Sequence, residues 1–351
     1  MIAGGGTGGH IFPGLALADA FRARDPKSEI LFVGTERGLE RKLVPEKGYP
    51  LSLIPIRRLK GESLLGRLRT FLGIPASLWH CQKLIRRFQP DLVVGVGGYS
   101  SGPVVLAASM LRRRVILLEQ NSVAGLTNRI LGRFADRIFT HFKESASYFK
   151  RQVSCLGNPV RQEILEQFKT TTKTSQLFTV LILGGSQGAT PINKAVTEAL
   201  SPLFRDKIRF LHQTGEKDYP WVKEAYRQGG FQAEVFPFIQ EIGRYYKEAD
   251  FVIARSGAMT VTELAACGRA SLLIPYRFAA DNHQQKNAEA LVQAGAARIL
   301  LNEEVTGKRI ALILEEFLKN PELLQTMVAA AARLGRPNAG AKIVEEAYSI
   351  V

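Results

Sequence analysis

Short runs of Val, Ile, Leu and Phe alternate with longer stretches of helical periodicity along the whole chain. In the first half the runs fall at 29–34 (EILFVG), 51–56 (LSLIPI), 91–96 (DLVVGV), 114–119 (RVILLE), 137–141 (RIFTH) and 153–157 (VSCLG). In the second they fall at 178–183, 208–213, 233–239, 250–255, 270–276 and 297–301. Runs that are apolar at nearly every position suit parallel strands covered on both faces, and strand–helix alternation implies βαβ units. The pattern predicts an α/β chain of two doubly wound, Rossmann-like domains. A length of 351 residues agrees with two. No apolar run reaches the ~18 residues of a membrane-spanning helix, and no secretory leader is expected.

The halves echo each other. Each opens with a glycine-rich turn after its first strand, Gly4-Gly5-Gly6-Thr7-Gly8-Gly9-His10 and then Gly184-Gly185-Ser186-Gln187-Gly188-Ala189. A third turn, Gly97-Gly98-Tyr99-Ser100-Ser101-Gly102-Pro103, follows the run at 91–96. A strand that passes through glycines into a helix start exposes backbone N–H groups and the positive end of the helix dipole, which suits a phosphate. All three turns fall at carboxyl ends of predicted parallel strands, where open α/β sheets bind ligands. The expected domains are 1–158 and 159–334, with 335–351 as a helix crossing back to the first domain. Only Met1-Ile2-Ala3 precede the first turn, short for a central strand, so the opening strand is expected to lack its start.

Charge changes the picture. The net charge is +15, and it is uneven: residues 1–160 hold 24 basic against 11 acidic residues, residues 161–351 hold 23 against 21. Such an excess bears on partners and not on folding. Cys81, Cys155 and Cys267 lie far apart with no CxxC pair, as in a reduced compartment. There is no Asp-x-Asp, no His-Glu-x-x-His and no clustered Cys/His set, so neither a metal nor a cofactor is expected.

Seven stretches carry a resemblance. GGGTGGHIFPGLALA (4–18), GVGGYSSGP (95–103), LEQNSVAGLTN (118–128), GNPVR (157–161), GGSQGA (184–189), RSGAMTVTELAACG (255–268) and DNHQQKNA (281–288) closely resemble, in order, the MurG family of peptidoglycan N-acetylglucosaminyltransferases. The resemblance implies a GT-B fold, two Rossmann-like domains facing a central cleft. It implies inverting, metal-independent transfer of GlcNAc from UDP-GlcNAc to the C4 hydroxyl of MurNAc in undecaprenyl-diphospho-MurNAc-pentapeptide (lipid I), giving lipid II. It also implies a peripheral enzyme on the cytoplasmic face of the bacterial plasma membrane, with other cell-wall synthesis proteins as partners.

Inverting transfer needs a base for the acceptor hydroxyl and stabilisation of the departing diphosphate, which helix N-termini and cationic side chains can supply without metal. His10 closes the first glycine turn and is the candidate base; the alternative is a histidine that orients the turn or contacts phosphate. Glu119, at the end of the run 114–119, is either a rival base or a brace. By resemblance, Thr7, Gly8, Gly9, Asn121, Arg161, Ser186, Ile239, Met259, Thr260, Glu263, Gln284 and Gln285 take the donor. Glu263 would hold the ribose hydroxyls, Ser186 the diphosphate and Ile239, ending the run 233–239, the uracil through its main chain. Gly6, Gly9, Gly98, Tyr99, Ser100 and Ser101 would take the acceptor diphosphate. His283 stays outside the catalytic set, and His80, His141 and His212 read as surface or core.

Residues 57–90 combine Arg57, Arg58, Lys60, Arg67, Arg69, Lys83, Arg86 and Arg87 with a single acid, Glu62. Apolar residues are interleaved, Phe71, Ile74, Leu78 and Trp79 among them, which suits docking on an anionic membrane surface. An ordinary amphipathic pair of helices packed on the sheet is the alternative. Three other functions compete. An NAD-dependent oxidoreductase would use Gly4, Gly6 and Gly9 as GxGxxG, but its only nearby acid is Glu36, and the second glycine turn goes unused. A nucleic-acid binder would explain the charge, yet no recognition helix or stacking aromatics accompany it, so no nucleic acid is expected. A UDP-GlcNAc 2-epimerase would share the GT-B scaffold.

Overall fold

The computed structural model describes the chain except Arg37, residues 57–63, Ser186 and Gln187, and except the side chains of 64–74. It divides into two compact units, Met1–Arg161 with Pro337–Val351, and Gln162–Arg336. They are called domain 1 and domain 2.

Domain 1 holds strands β1 (Ile2–Ala3), β2 (Phe32–Gly34), β3 (Leu51–Leu53), β4 (Leu92–Gly95), β5 (Arg114–Glu119), β6 (Arg137–Thr140) and β7 (Val153–Ser154). Its helices are α1 (Gly8–Arg24), α2 (Glu40–Glu46), α3 (Leu64–Phe88), α4 (Ser101–Met110) and α5 (Leu126–Leu131). The sheet is parallel, in the order β3-β2-β1-β4-β5-β6-β7. Alternation along β5 shows why these runs are apolar throughout. Val115 and Leu117 enter one core, with Cys81 and Ile85 of α3 and Val104 and Val105 of α4. Ile116 and Leu118 enter the other, with Ile11 and Leu15 of α1.

The two-residue β1 is central, paired with β2 on one side and β4 on the other. Main-chain bonds extend the pairing past its ends: Val94 N donates to Met1 O and Gly4 N donates to Val33 O.

Domain 2 repeats the plan. Its strands are β8 (Phe178–Leu183), β9 (Ile208–Gln213), β10 (Gln232–Phe236), β11 (Phe251–Ala254), β12 (Ala270–Leu273) and β13 (Ala297–Ile299). Its helices are α6 (Gln162–Thr170), α7 (Thr190–Glu198), α8 (Tyr219–Gly229), α9 (Ile242–Glu248), α10 (Ala258–Ala266), α11 (His283–Gln293), α12 (Gly307–Lys319) and α13 (Pro321–Leu334). The parallel sheet runs β10-β9-β8-β11-β12-β13. Val180, Phe210, Phe251 and Leu272 pack against Ile192 and Val196 of α7 and Leu314 and Phe317 of α12.

The last helix, α14 (Ala339–Tyr348), belongs to domain 1. Ile343, Val344 and Ala347 join the core of Ile11 and Leu15 on α1. Each fully buried aliphatic side chain contributes roughly 1.5–3 kcal/mol.

Several strands stop short of their apolar runs. β10 ends at Phe236 because Pro237 has no N–H for the ladder, so Ile239 lies in the following loop and does not end a strand. β12 ends at Leu273, although Ile274 N still donates to Ala254 O. In both sheets the order of strand addition reverses at the centre, between β1 and β4 and between β8 and β11, the two topological switch points.

Candidate active site

At the switch point of domain 1, α1 starts at Gly8, and His10 sits in its first turn with N donating to Thr7 O. The ring Nδ1 of His10 is 3.2 Å from Thr7 Oγ1. The ring lies across the turn after β4: a Cβ on Gly97 would stand 2.9 Å from His10 Cδ2, and one on Gly98 would stand 2.7 Å from Gly5 O. Both glycines have positive φ, +87° and +80°, so close approach and backbone conformation each require glycine. The first and third glycine turns are thus packed together, with His10 against both.

Not every expected phosphate contact is offered. Gly6 N donates to the buried Glu40 Oε2 at 2.8 Å. Ser100 and Ser101 are wholly buried; Ser101 Oγ donates to Gly98 O and so builds the turn, whereas no partner is found for Ser100 Oγ among the described residues. Thr7, Gly8, Gly9 and Gly98 stay partly or fully accessible. Tyr99 OH is 3.1 Å from Thr35 Oγ1.

Glu119 ends β5 and is 2% exposed. Oε1 accepts from Asn121 N and Asn121 Nδ2, while Oε2 accepts from Gly125 N and Asn128 Nδ2. Burial pushes its carboxyl above the usual carboxylate range, although the four donors oppose the shift. Asn121 is therefore oriented by Glu119. Arg161, expected in the second domain, lies in domain 1 with its guanidinium 4.6 Å from the centre of the Phe12 ring on α1.

In domain 2, α7 starts just after the glycine turn that follows β8, and Ser186 lies outside the described residues. Gln213, at the end of β9, organises the neighbourhood. Its Nε2 donates to Gly185 O at 3.0 Å, and its Oε1 accepts from Ile239 N at 2.9 Å. The N–H of Ile239 is thereby engaged within the protein, so its main chain offers a base the carbonyl.

Met259 and Thr260 occupy the first turn of α10, and Glu263 follows one turn on, 5% exposed. Tyr246 OH donates to Glu263 Oε2 at 3.1 Å. The start of α11 is tied to that of α10: Ser256 Oγ donates to Gln284 O, and Asn287 Nδ2 donates to Ser256 O. Gln284 Oε1 accepts from Tyr276 N, which turns its amide nitrogen outward from that bond as a donor. Gln285 Nε2 donates to Glu289. Asp281 and Asn282, just ahead of α11, both have left-handed φ, +51° and +52°, a strained pair of the kind that marks functional loops. Arg255 Nη1 donates to the carbonyls of Ile274 and Pro275, and burial lowers its pKa below the ordinary value.

Glu40, Asn128, Gln213 and Tyr246 were not among the residues expected from sequence. Polar residues at strand ends were the available signal for Gln213; Asn128 closes the LEQNSVAGLTN stretch itself. Among the described residues no three His, Cys, Asp or Glu side chains gather as a metal site would require.

On the membrane-facing candidates, Arg67, Arg69, Phe71 and Ile74 lie outside the described side chains, and Arg57, Arg58, Lys60 and Glu62 outside the described residues. Leu78 packs against the core of domain 1 and so faces inward. Trp79 is 63% exposed with Lys83 Nζ over its ring, and Lys83, Arg86 and Arg87 are exposed along the same helix. Met110 of α4 and Leu126 and Ile130 of α5 are exposed as well. No described helix is long and apolar enough to cross a membrane.

Two Rossmann-like domains, each with a glycine turn at its switch point, define the GT-B fold class. Residues 1–140 match the glycosyltransferase family 28 N-terminal domain and residues 179–343 its C-terminal domain. The UDP-N-acetylglucosamine--N-acetylmuramyl-(pentapeptide) pyrophosphoryl-undecaprenol N-acetylglucosamine transferase of Thermodesulfovibrio yellowstonii is 45% identical, covering 100% of this chain and 98% of its own. That of Myxococcus xanthus is 43% identical over 98% of this chain and 91% of its own. The crystal structure of Acinetobacter baumannii MurG superposes with a TM-score of 0.80 at 30% identity, covering 99% of this chain and 98% of that one. The chain belongs to this family of N-acetylglucosamine transferases, as the seven stretches implied.

Proposed function

We propose that the enzyme transfers GlcNAc from UDP-GlcNAc to the C4 hydroxyl of MurNAc in lipid I, with inversion and without a metal. The observation that carries this reading is the pairing of His10 with Thr7 beside two packed glycine turns in domain 1. Domain 1 takes the acceptor. His10 takes the proton of the C4 hydroxyl, whose oxygen attacks the anomeric carbon as UDP leaves. The partly accessible Gly8 and Gly9, at the positive end of the α1 dipole, suit the acceptor diphosphate.

Domain 2 takes the nucleotide. Glu263, held by Tyr246, accepts from the ribose hydroxyls, and the Ile239 carbonyl accepts from uracil N3–H. The N-termini of α7 and α10 offset charge on the departing diphosphate. Thr260 and Met259 line the same helix start, and Gln284 and Gln285 at the start of α11 suit the GlcNAc hydroxyls. Glu119 acts as the brace, because its carboxylate oxygens already serve four donors.

The basic surface around Trp79, Lys83, Arg86 and Arg87 would bring the enzyme to an anionic membrane face, as a peripheral protein at the cytoplasmic side. Partners among other cell-wall synthesis proteins belong to the same reading.

The test is transfer of labelled GlcNAc from UDP-GlcNAc to a lipid I analogue in the presence of EDTA. Product that contains a β-linked GlcNAc is expected. Absence of product from folded protein overturns the activity, whereas inhibition by EDTA alone overturns the metal-free step.

A further inference from the structure

The carboxylate of Glu40, at the start of α2, is wholly buried in domain 1 and lies outside every role assigned above. Its Oε1 accepts from Thr35 N and Thr35 Oγ1, both at 2.9 Å, and its Oε2 accepts from Gly6 N at 2.8 Å. Three glycines enclose it. A Cβ on Gly5, Gly34 or Gly38 would come within 2.2, 2.4 or 1.9 Å of Glu40 side-chain atoms. The sequence thus leaves out three side chains around one buried charge. Burying a carboxylate is costly unless its lone pairs are satisfied, so the donors have to stay in place.

The hydrogen-bond directions follow from the donors. Thr35 gives its hydroxyl hydrogen to Glu40, so at 3.1 Å Tyr99 OH must be the donor to Thr35 Oγ1. One carboxylate therefore joins the turns after β1, β2 and β4. It draws the Gly6 N–H inward, leaving the outward positions of the first turn to Gly8 and Gly9. It also fixes, through Thr35, where the Tyr99 ring stands.

We propose that Glu40 is a positioning residue for the acceptor: through Gly6 and the Thr35–Tyr99 relay it sets which groups of the two glycine turns face the acceptor's diphosphate. This rests on the reading that domain 1 takes the acceptor. Glu40 touches no substrate itself.

The test uses the full chain with Glu40→Gln, Thr35→Val, Thr35→Ser and Tyr99→Phe. In Glu40→Gln the amide nitrogen meets a backbone N–H in either orientation, that of Gly6 or that of Thr35, donor against donor. KM for a lipid I analogue is expected to rise about tenfold or more, with the UDP dissociation constant within twofold of wild type. Thr35→Val should raise that KM severalfold, Thr35→Ser should restore it, and Tyr99→Phe should add nothing to Thr35→Val. An unchanged acceptor KM in both Glu40→Gln and Thr35→Val, or an equal loss of UDP affinity, overturns the proposal. Hydrogen exchange supplies a readout independent of activity: the amides of 4–10 and 97–101 should exchange faster in Glu40→Gln. Unchanged exchange in both segments overturns the role of Glu40, even if the protein transfers no sugar. Faster exchange in Glu40→Gln, with a wild type that shows no transferase activity, would sink only the functional reading beneath it.

Discussion

Asn128 Nδ2 stands 2.9 Å from Glu119 Oε2 and at the same distance from Leu118 O, pinning the end of β5 to helix α5. With Asn121 and Gly125 it makes Glu119 the anchor of the 120–128 segment. Glu119→Gln brings an amide N–H against one of the four donors. A buried unsatisfied group costs about 1–3 kcal/mol, so domain 1 should unfold at correspondingly lower denaturant. Asn128→Ala should destabilise less, since Glu119 keeps three donors. A Glu119→Gln protein of wild-type stability would contradict the brace.

Glu263 and Tyr246 give a second prediction, in domain 2. Glu263→Ala removes the ribose acceptor and should weaken UDP binding by at least tenfold. Tyr246→Phe keeps the carboxylate but loses its 3.1 Å donor, so a smaller loss of a few-fold is expected. Isothermal titration with UDP checks both; unchanged affinity in Glu263→Ala excludes the ribose contact.

For His10 the expected loss is in turnover. Removing a general base typically costs about 10²–10⁴-fold, so His10→Ala should lower kcat by that order while the UDP dissociation constant stays near wild type. Thr7→Val, which takes away the partner of Nδ1, should lower kcat less and in the same direction. Near-normal kcat in His10→Ala would leave the ring as a spacer between the glycine turns.

The exposed face of α3 predicts a phenotype at a lipid surface. Trp79→Ser combined with Lys83, Arg86 and Arg87 changed to Glu should abolish sedimentation with anionic vesicles, since each cation near such a surface contributes about 1 kcal/mol. UDP affinity should be retained. Equal vesicle binding by variant and wild type would assign these residues to solvent.

The pattern of apolar runs carried the architecture because parallel strands covered on both faces leave few polar positions. β5, β8 and β9 have the limits that their runs predict. β10 does not, because Ile239 is buried in a loop beyond the ladder, and β12 ends at Leu273 although Ile274 still joins the core; hydropathy does not separate the two kinds of burial. The glycine turns were legible as turns. What they hold was not: Glu40 reads as one more acid at a helix start, and only the folded chain brings Gly5, Gly34 and Gly38 around it. Ile239 illustrates the same limit, since its N–H is engaged by Gln213, which is 26 residues away. The leucine at 78 was indistinguishable in sequence from the exposed Trp79 beside it.

His212 provides the pH test. Its ring is fully buried between Tyr226 OH, 3.1 Å from Nδ1, and Asn193 Oδ1, 3.0 Å from Nε2. Asn193 Nδ2 donates to Thr214 O and to Asp218 Oδ2, so its oxygen must accept, which places the His212 hydrogen on Nε2 and leaves Nδ1 to accept from Tyr226. Burial holds the ring pKa down at about 3, with the Asp218 charge opposing the shift. In the unfolded chain the same group takes up its proton near 6.5. Between these values the unfolded state binds more protons, so stability rises with pH across the window and is lost as pH falls through it. From pH 7 to pH 5 this one group should cost domain 2 roughly 2 kcal/mol. His212→Gln preserves a donor and an acceptor without titrating there, so its denaturant midpoint should fall less over that interval. An identical fall in wild type and His212→Gln would show that the imidazole is not held neutral.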